Sequence, residues 1–106
     1  MDLTLNNSSR FSGQEGKENW WEWTAYIDAG QPQALNDIDF VEYHLHPSFK
    51  NPIRRVFDRG GGFPLKMEGW GAFKLRARVV YKPHCRQKNV TLAHTLRLDR
   101  QRVTSG

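Results

Sequence analysis

The chain reads as an all-β protein built as one β-sandwich, and three observations predict this. Apolar and polar residues alternate with period two over several stretches, no stretch of helical length repeats at 3.6, and the alternating stretches are separated by turns rich in Gly, Pro, Asn and Asp. Alternation sends successive side chains to opposite faces, so each stretch has one face to bury and one to leave in water. Two sheets packed through their apolar faces satisfy all of them together. At 106 residues the chain can build one such core but not two.

The elements follow in order. LTL, residues 3–5, opens a short strand. Residues 6–19, NNSSRFSGQEGKEN, hold one apolar side chain among polar residues and glycines and read as a long loop, so residues 1–19 are expected to be an N-terminal strand and polar loop. The sandwich proper is expected over 20–98. WWEWTAYID puts Trp21, Trp23, Ala25 and Ile27 on one face and Glu22, Thr24, Tyr26 and Asp28 on the other. AGQPQALND turns the chain, and VEYHLH points Val41, Tyr43 and Leu45 inward, helped by Leu35 and Ile38. Two unusual loops follow: PSFKNPIRRVFDRGGGFP, with three consecutive glycines and an exposed-looking Phe49, and MEGWGAF. FKLRARVVYK then sets Phe73, Leu75, Ala77, Val79 and Tyr81 against Lys74, Arg76, Arg78 and Lys82, a basic row that needs only solvent to explain it. After the turn PHCRQKN, VTLAHTLRL places Val90, Leu92, His94, Leu96 and Leu98 on one face. His94 there reads as a hydrogen-bonded core histidine rather than a ligand. Residues 99–106 read as a flexible tail.

Composition narrows the function classes. No run spans a bilayer and the N-terminus lacks the basic-then-apolar pattern of a secretory signal, which predicts an intracellular protein, cytoplasmic if prokaryotic and nuclear if eukaryotic. The single Cys85 fits a reducing compartment, and its polar surroundings read as an incidental surface thiol. Net charge is +5, yet residues 1–49 carry two basic and eight acidic side chains while residues 50–106 carry fourteen basic and three acidic. Mutual neutralisation within the fold accounts for this asymmetry, with an acidic or nucleic-acid partner as the alternative.

The two loops hold the chemistry. HLHPSF keeps a ring, Phe49, beside a hydroxyl, Ser48, in a segment that Pro47 and Pro52 keep out of a sheet. In GWG, Trp70 stands between Gly69 and Gly71, which permit positive φ and close approach of another chain. A binding element at a loop tip and an indole folded back over the sandwich end are the two readings. Taken together, WTAYI, VEYHLHPSFKNPIRR, GWGAF and VTLAHTLRL resemble, in order and spacing, the YEATS domain family of acyl-lysine readers over roughly residues 20–98. The resemblance implies an immunoglobulin-like β-sandwich with ligand-binding loops at one end, no catalysis and no cofactor. It implies a site of His46, Ser48, Phe49, Gly69, Trp70, Gly71 and Phe73. Phe49 and Trp70 would be the walls of an aromatic slot, Ser48 would hydrogen-bond the ligand amide with His46 bracing it, and the Trp70 backbone N–H would meet the acyl carbonyl. The partner implied is an acylated-lysine peptide or protein, carrying acetyl, propionyl or crotonyl groups and bound by a monomer. Nuclear members carry a further aromatic before the first Trp strand. KENWW lacks a clear equivalent, with Trp20 as the candidate substitute. The GGG region, the basic NPIRRVFDR segment and the WWEW start look closer to the prokaryotic branch.

The physical logic stands beside the resemblance. An acyl-lysine amide is neutral, planar and polar, so burying it unpaired costs ~1–3 kcal/mol, while aromatic faces recover dispersion and desolvation energy. An enzyme would draw on His44, His46, Ser48 and Asp58 or Cys85, but no acid is placed to orient an imidazole and no GxSxG pattern occurs. HLH with His84 or His94 meets the minimum ligand types for a metal, at arbitrary spacing, so no metal is expected. The alternative function is nucleic-acid or acidic-partner binding through the basic second half, where Arg54, Arg55 and Arg59 follow Phe49 and Lys74, Arg76 and Arg78 line a strand.

Overall fold

A computed structural model of the protein describes residues 3–16, 18–69 and 71–98. Seven strands run in chain order: β1 Leu3–Glu15, β2 Glu18–Ala29, β3 Ile38–His44, β4 Ile53–Val56, β5 Leu65–Gly69, β6 Lys74–Tyr81 and β7 Val90–Thr95. They form two antiparallel sheets, a three-stranded sheet in the order β1-β2-β5 and a four-stranded sheet in the order β4-β3-β6-β7. Short 3-10 turns at Pro32–Asp37 and Pro83–Cys85 are the remaining regular elements among the described residues. This is the immunoglobulin-like β-sandwich expected.

Period two builds the core. Trp23, Ala25 and Ile27 of β2 and Leu5 of β1 face Val41 and Tyr43 of β3 and Leu75, Ala77, Val79 and Tyr81 of β6, all buried. Leu45, Leu96 and Phe63 close the ends. Trp21 lies outside this tight centre, half-buried, with its ring edge-on to Phe11 at 5.7 Å.

Three of the expected loops are partly strand. Residues 6–15 continue β1, paired with β2 from Leu3↔Ala29 to Glu15↔Glu18 with one register shift between Phe11 and Gly13. The alternation is present but two of its inward positions, Asn7 and Ser9, are polar. Asn7 is buried, and its side-chain oxygen accepts from His94 Nε2 at 2.7 Å and from the Arg97 backbone N–H at 2.9 Å. Its amide nitrogen donates to the Arg97 carbonyl at 2.9 Å, so one side chain ties β1 to the segment after β7. The two Arg97 contacts fix the orientation of the amide, which makes Nε2–H of His94 a donor, and His94 is the hydrogen-bonded, partly buried histidine anticipated. IRRV, inside the first long loop, is the edge strand β4 on β3, too short and too close to Pro52 to read as a strand. LKMEG is β5, so MEGWGAF begins as strand and turns only after Gly69.

The GGG segment is structural. Gly61, Gly62 and Phe63 all take positive φ, at +79°, +89° and +55°. The Gly62 carbonyl accepts the Ile27 N–H at 2.8 Å, and a Cβ on Gly62 would stand 2.3 Å from the Ile27 carbonyl oxygen, which only glycine avoids. This contact delivers Phe63 into the core, where its carbonyl accepts the Tyr43 hydroxyl at 2.6 Å. Burial pushes the Tyr43 phenol well above its ordinary value.

Candidate ligand site

The segment after β3 leaves the sheet as a braced loop. Leu45 N–H donates to the Pro52 carbonyl at 2.7 Å and closes its base, and Phe49 N–H donates to the His46 carbonyl at 3.0 Å within it. Asn51 takes a positive φ of 54°, and the Arg54 guanidinium donates to the carbonyls of Asn51 at 2.6 Å and Lys50 at 2.8 Å. Arg54 is therefore a brace for this loop. The 46–49 segment is held from both sides without entering a ladder.

Within it, the Ser48 backbone N–H donates to His46 Nδ1 at 3.1 Å, which requires that nitrogen to be an unprotonated acceptor. Ser48 Oγ lies 2.9 Å from the same nitrogen, so the hydroxyl donates its proton to His46. What remains on Oγ is lone pairs, and Ser48 is left to act outward as an acceptor. His46 and Ser48 are both exposed at the surface.

Phe49, expected exposed, is half-buried. Its ring packs on Phe73 at 5.5 Å between centroids, and Phe73 in turn meets Trp23 at 5.9 Å and His46 at 6.1 Å. The partner of the Phe49 ring is thus the end of the core, reached through Phe73, the residue just before β6. Gly69 ends β5 with no positive φ, and a Cβ there would lie 3.6 Å from Trp23 Nε1 and 3.8 Å from Phe49 Cζ, ordinary contacts. What glycine does at this position is keep the space between the two rings open. Among the described residues Trp23 Nε1 has no hydrogen-bond partner there, although it is buried.

These groups enclose a cavity of about 360 Å³ at one end of the sandwich, lined by His46, Ser48, Phe49, Gly69, Gly71 and Phe73 together with Trp20, Glu68 and Ala72. Six of the seven sequence-derived site residues share it, and the seventh, Trp70, lies outside the described residues. Glu68 and Ala72 were missed by sequence reasoning. The only signal for either was the inside-out alternation of β5, which puts Glu68 on the face opposite Met67, and that alternation was hidden when MEGWGAF was read as loop. A second cavity of about 320 Å³, lined by Ser12, Gly13, Gln14, Trp20 and Glu68, adjoins the first through the two residues they share.

Other candidates disperse. Among the described residues no three His, Cys, Asp or Glu gather to hold a metal. Cys85 is half-buried rather than on the open surface, and burial, with the Asp37 carboxylate beside it, pushes its thiol above the ordinary value, away from the reactive thiolate. Among the described residues, charge pairing between the two halves is limited to Glu42 with Arg55 at 2.9 Å and Glu22 with Lys66 at 3.9 Å. Among the described residues no helix is long and apolar enough to cross a membrane.

A β-sandwich with an aromatic-lined cavity between two end loops defines a loop-end binding domain. The model of the prokaryotic YEATS domain matches residues 21–96, and the chain belongs to that family. It is similar to the Protein AF-9 homolog of Neurospora crassa, 32% identical over 83 residues that cover 72% of this chain and 25% of that protein. It is similar also to the transcription initiation factor TFIID subunit 14 of Schizosaccharomyces pombe, 34% identical over 64 residues covering 57% of this chain and 26% of that protein. The chain therefore spans about a quarter of the length of these relatives. In fold it matches the YEATS domain of Yaf9 bound to H3K27ac with a TM-score of 0.76 at 23% identity, covering 92% of this chain and 72% of that one. The same domain recognising an H3K122suc peptide matches with a TM-score of 0.74 at 24% identity, covering 91% and 70%.

Proposed function

We propose that the protein is a non-catalytic binding module for acylated lysine, taken through the cavity between the HPSF loop and the segment after β5. The observation that carries this reading is the orientation of Ser48. Its hydroxyl proton is committed to His46 Nδ1, so Oγ faces the cavity as an acceptor, the group that an amide N–H requires. A free ammonium would also find acceptors there, Ser48 Oγ and the exposed Glu68 carboxylate, but it would lose its hydration against the rings of Trp20, Phe49 and Phe73. An amide gives up less hydration and gains the ring contacts, so the acylated form is preferred. Family membership, rather than geometry, assigns Trp70 the remaining roles in this reading, its backbone N–H as donor to the acyl carbonyl and its indole as the second aromatic wall. Membership of the YEATS family, and the acylated histone peptides bound by Yaf9, support the ligand class.

The test is calorimetric titration with matched peptides carrying unmodified, acetyl, propionyl and crotonyl lysine. Acylated peptides bind, planar crotonyl at least as well as acetyl, and the unmodified peptide does not. Trp70→Ala abolishes binding with little loss of stability. Phe49→Ala also abolishes it but lowers the melting temperature, because this ring is packed on Phe73.

A second reading has one observation in its favour. Lys74, Arg76 and Arg78 line the outer face of the four-stranded sheet and have no ion-pair partners among the described residues, a surface suited to an acidic partner or nucleic acid. Binding of that kind falls steeply with salt, whereas binding of a neutral acyl-lysine side chain against the rings and Ser48 depends on salt far less.

A further inference from the structure

β4 is an edge of the four-stranded sheet, with β3 as its one neighbour among the described strands. Leu45 N–H donates to the Pro52 carbonyl, so the bonded positions of this ladder continue at Arg54 and Val56, and the backbone N–H and C=O groups of Ile53 and Arg55 point away from the sheet. No backbone group among the described residues takes them up. Such a row is a template for another strand, and proteins commonly guard it with charge or proline. Pro52 guards only the first end. Ile53 is 55% exposed and Phe57, just past the last residue of β4, is 64% exposed, more than any other large apolar side chain among the described residues.

Alternation puts Ile53, Arg55 and Phe57 on the outer face of the sheet, where they extend the rows of β3 and β6. Phe57 meets Phe40 at 5.1 Å between centroids, and Phe40 is paired with Val80. Arg55 reaches Glu42, which is paired with Arg78, and Ile53 is paired with His44, which is paired with Arg76. The face thus has an apolar corner of Phe57, Phe40 and Val80 at the end away from the HPSF loop, a second apolar point at Ile53, and cations between and beside them. Arg55, Lys74, Arg76 and Arg78 stand there against one carboxylate, Glu42.

We propose that the β4 edge is a docking site for an extended, acidic segment of a partner protein, added to the sheet as an antiparallel strand. The outward groups of Ile53 and Arg55 supply main-chain bonds, and alternate side chains supply the choice of partner. The segment carries an aromatic residue against Phe57, an acidic one against Arg55 and an apolar one against Ile53, each two positions from the next. A second copy of this chain is a poor occupant, because two β4 strands joined symmetrically about this row would set Arg55 against Arg55 and bring two cationic faces together. A nucleic acid would meet the cations but leave the strand-bonding groups unpaired. The proposal stands independently of the slot: one end of the sandwich takes a modified side chain, and one edge ties the domain to a partner.

The experiment uses the full chain, isotope-labelled for NMR, and the capped, lysine-free peptide TFTETVT as probe. Beside it run TFTRTVT, TATETAT, and TFTETVT methylated on the glutamate backbone nitrogen. TFTETVT binds and slows hydrogen exchange at the Ile53 and Arg55 amides, while those of Arg54 and Val56, already bonded to β3, change little. The arginine and alanine probes bind about fivefold or more weaker, and the methylated probe does not bind. Phe57→Ser weakens TFTETVT binding by a similar factor, with the core resonances and the crotonyl-lysine titration unchanged. Equal binding of the glutamate and arginine probes, a methylated probe that binds as well as its parent, or no added protection at Ile53 and Arg55 overturns the edge site. Protection at those two amides that grows with protein concentration in the absence of probe makes a second copy the occupant, and a DNA duplex that displaces TFTETVT makes the face a nucleic-acid surface. Either result overturns the proposal as well. None of them bears on the slot, which the acyl-lysine titration tests separately.

Discussion

Gly62 and Ser48 sit at opposite poles of what single residues do here. Gly62 is indispensable to the chain path, because its left-handed backbone lets the Ile27 N–H bond and the burial of Phe63 coexist. Gly62→Ala sets a methyl 2.3 Å from a backbone oxygen at a φ that L-residues avoid. The expected cost is roughly 2–4 kcal/mol, read as a fall in the urea midpoint. An unchanged midpoint would mean that the GGG loop does not close on β2. Ser48, by contrast, is exposed and contributes little to folding. Its chemistry is set by one neighbour, His46. The residue types of both positions could be read from the chain, but the reason for Gly62 could not. Nothing in GGG says that the third glycine meets Ile27, a residue 35 positions earlier.

At the scale of elements, β2, β3, β6 and β7 were legible because their inward positions are apolar, and β6 shows it with every alternate residue from Leu75 to Tyr81 buried. β1 was not. Its inward row runs Leu5, Asn7, Ser9, Phe11, and polarity there comes from a tertiary contact, the Asn7 bridge to His94 and Arg97, which no local pattern encodes. β4 was hidden by its four-residue length and its position after Pro52. The Asn7 bridge also predicts a pH effect. Burial first, and then the Arg97 charge, hold the His94 imidazole below its ordinary value in the folded state. Below about pH 6.5 the unfolded chain takes up a proton that the folded chain refuses, so this contribution is full above the unfolded pKa and is lost as pH falls through it towards the folded pKa. Urea midpoints at pH 7.5 and 5.5 test this. The drop on acidification should be smaller in His94→Gln than in wild type, and equal drops would remove His94 from the account.

Across the whole molecule, the charge asymmetry of the sequence survives folding in an altered form. Glu42 is buried and held below the usual carboxylate range, first by the Arg55 hydrogen bond and then by His44, and Arg55 also lies over the Phe40 ring at 5.6 Å. Among the described residues most of the remaining basic side chains face solvent. Most of the cavity's lining was legible in the chain, because HLHPSF and GWGAF lie in segments that strand periodicity could not absorb. Glu68 was not, since it belongs to β5, whose last residues lie inside MEGWGAF and read as loop. The central claim is that an uncharged acceptor at Ser48 meets the amide of an acylated lysine. It is tested most directly by titrating one crotonyl-lysine peptide into wild type and Ser48→Ala beside their thermal melts. The account predicts binding weakened by ~1–2 kcal/mol in the variant at an unchanged melting temperature. Equal affinity in the two proteins would contradict it.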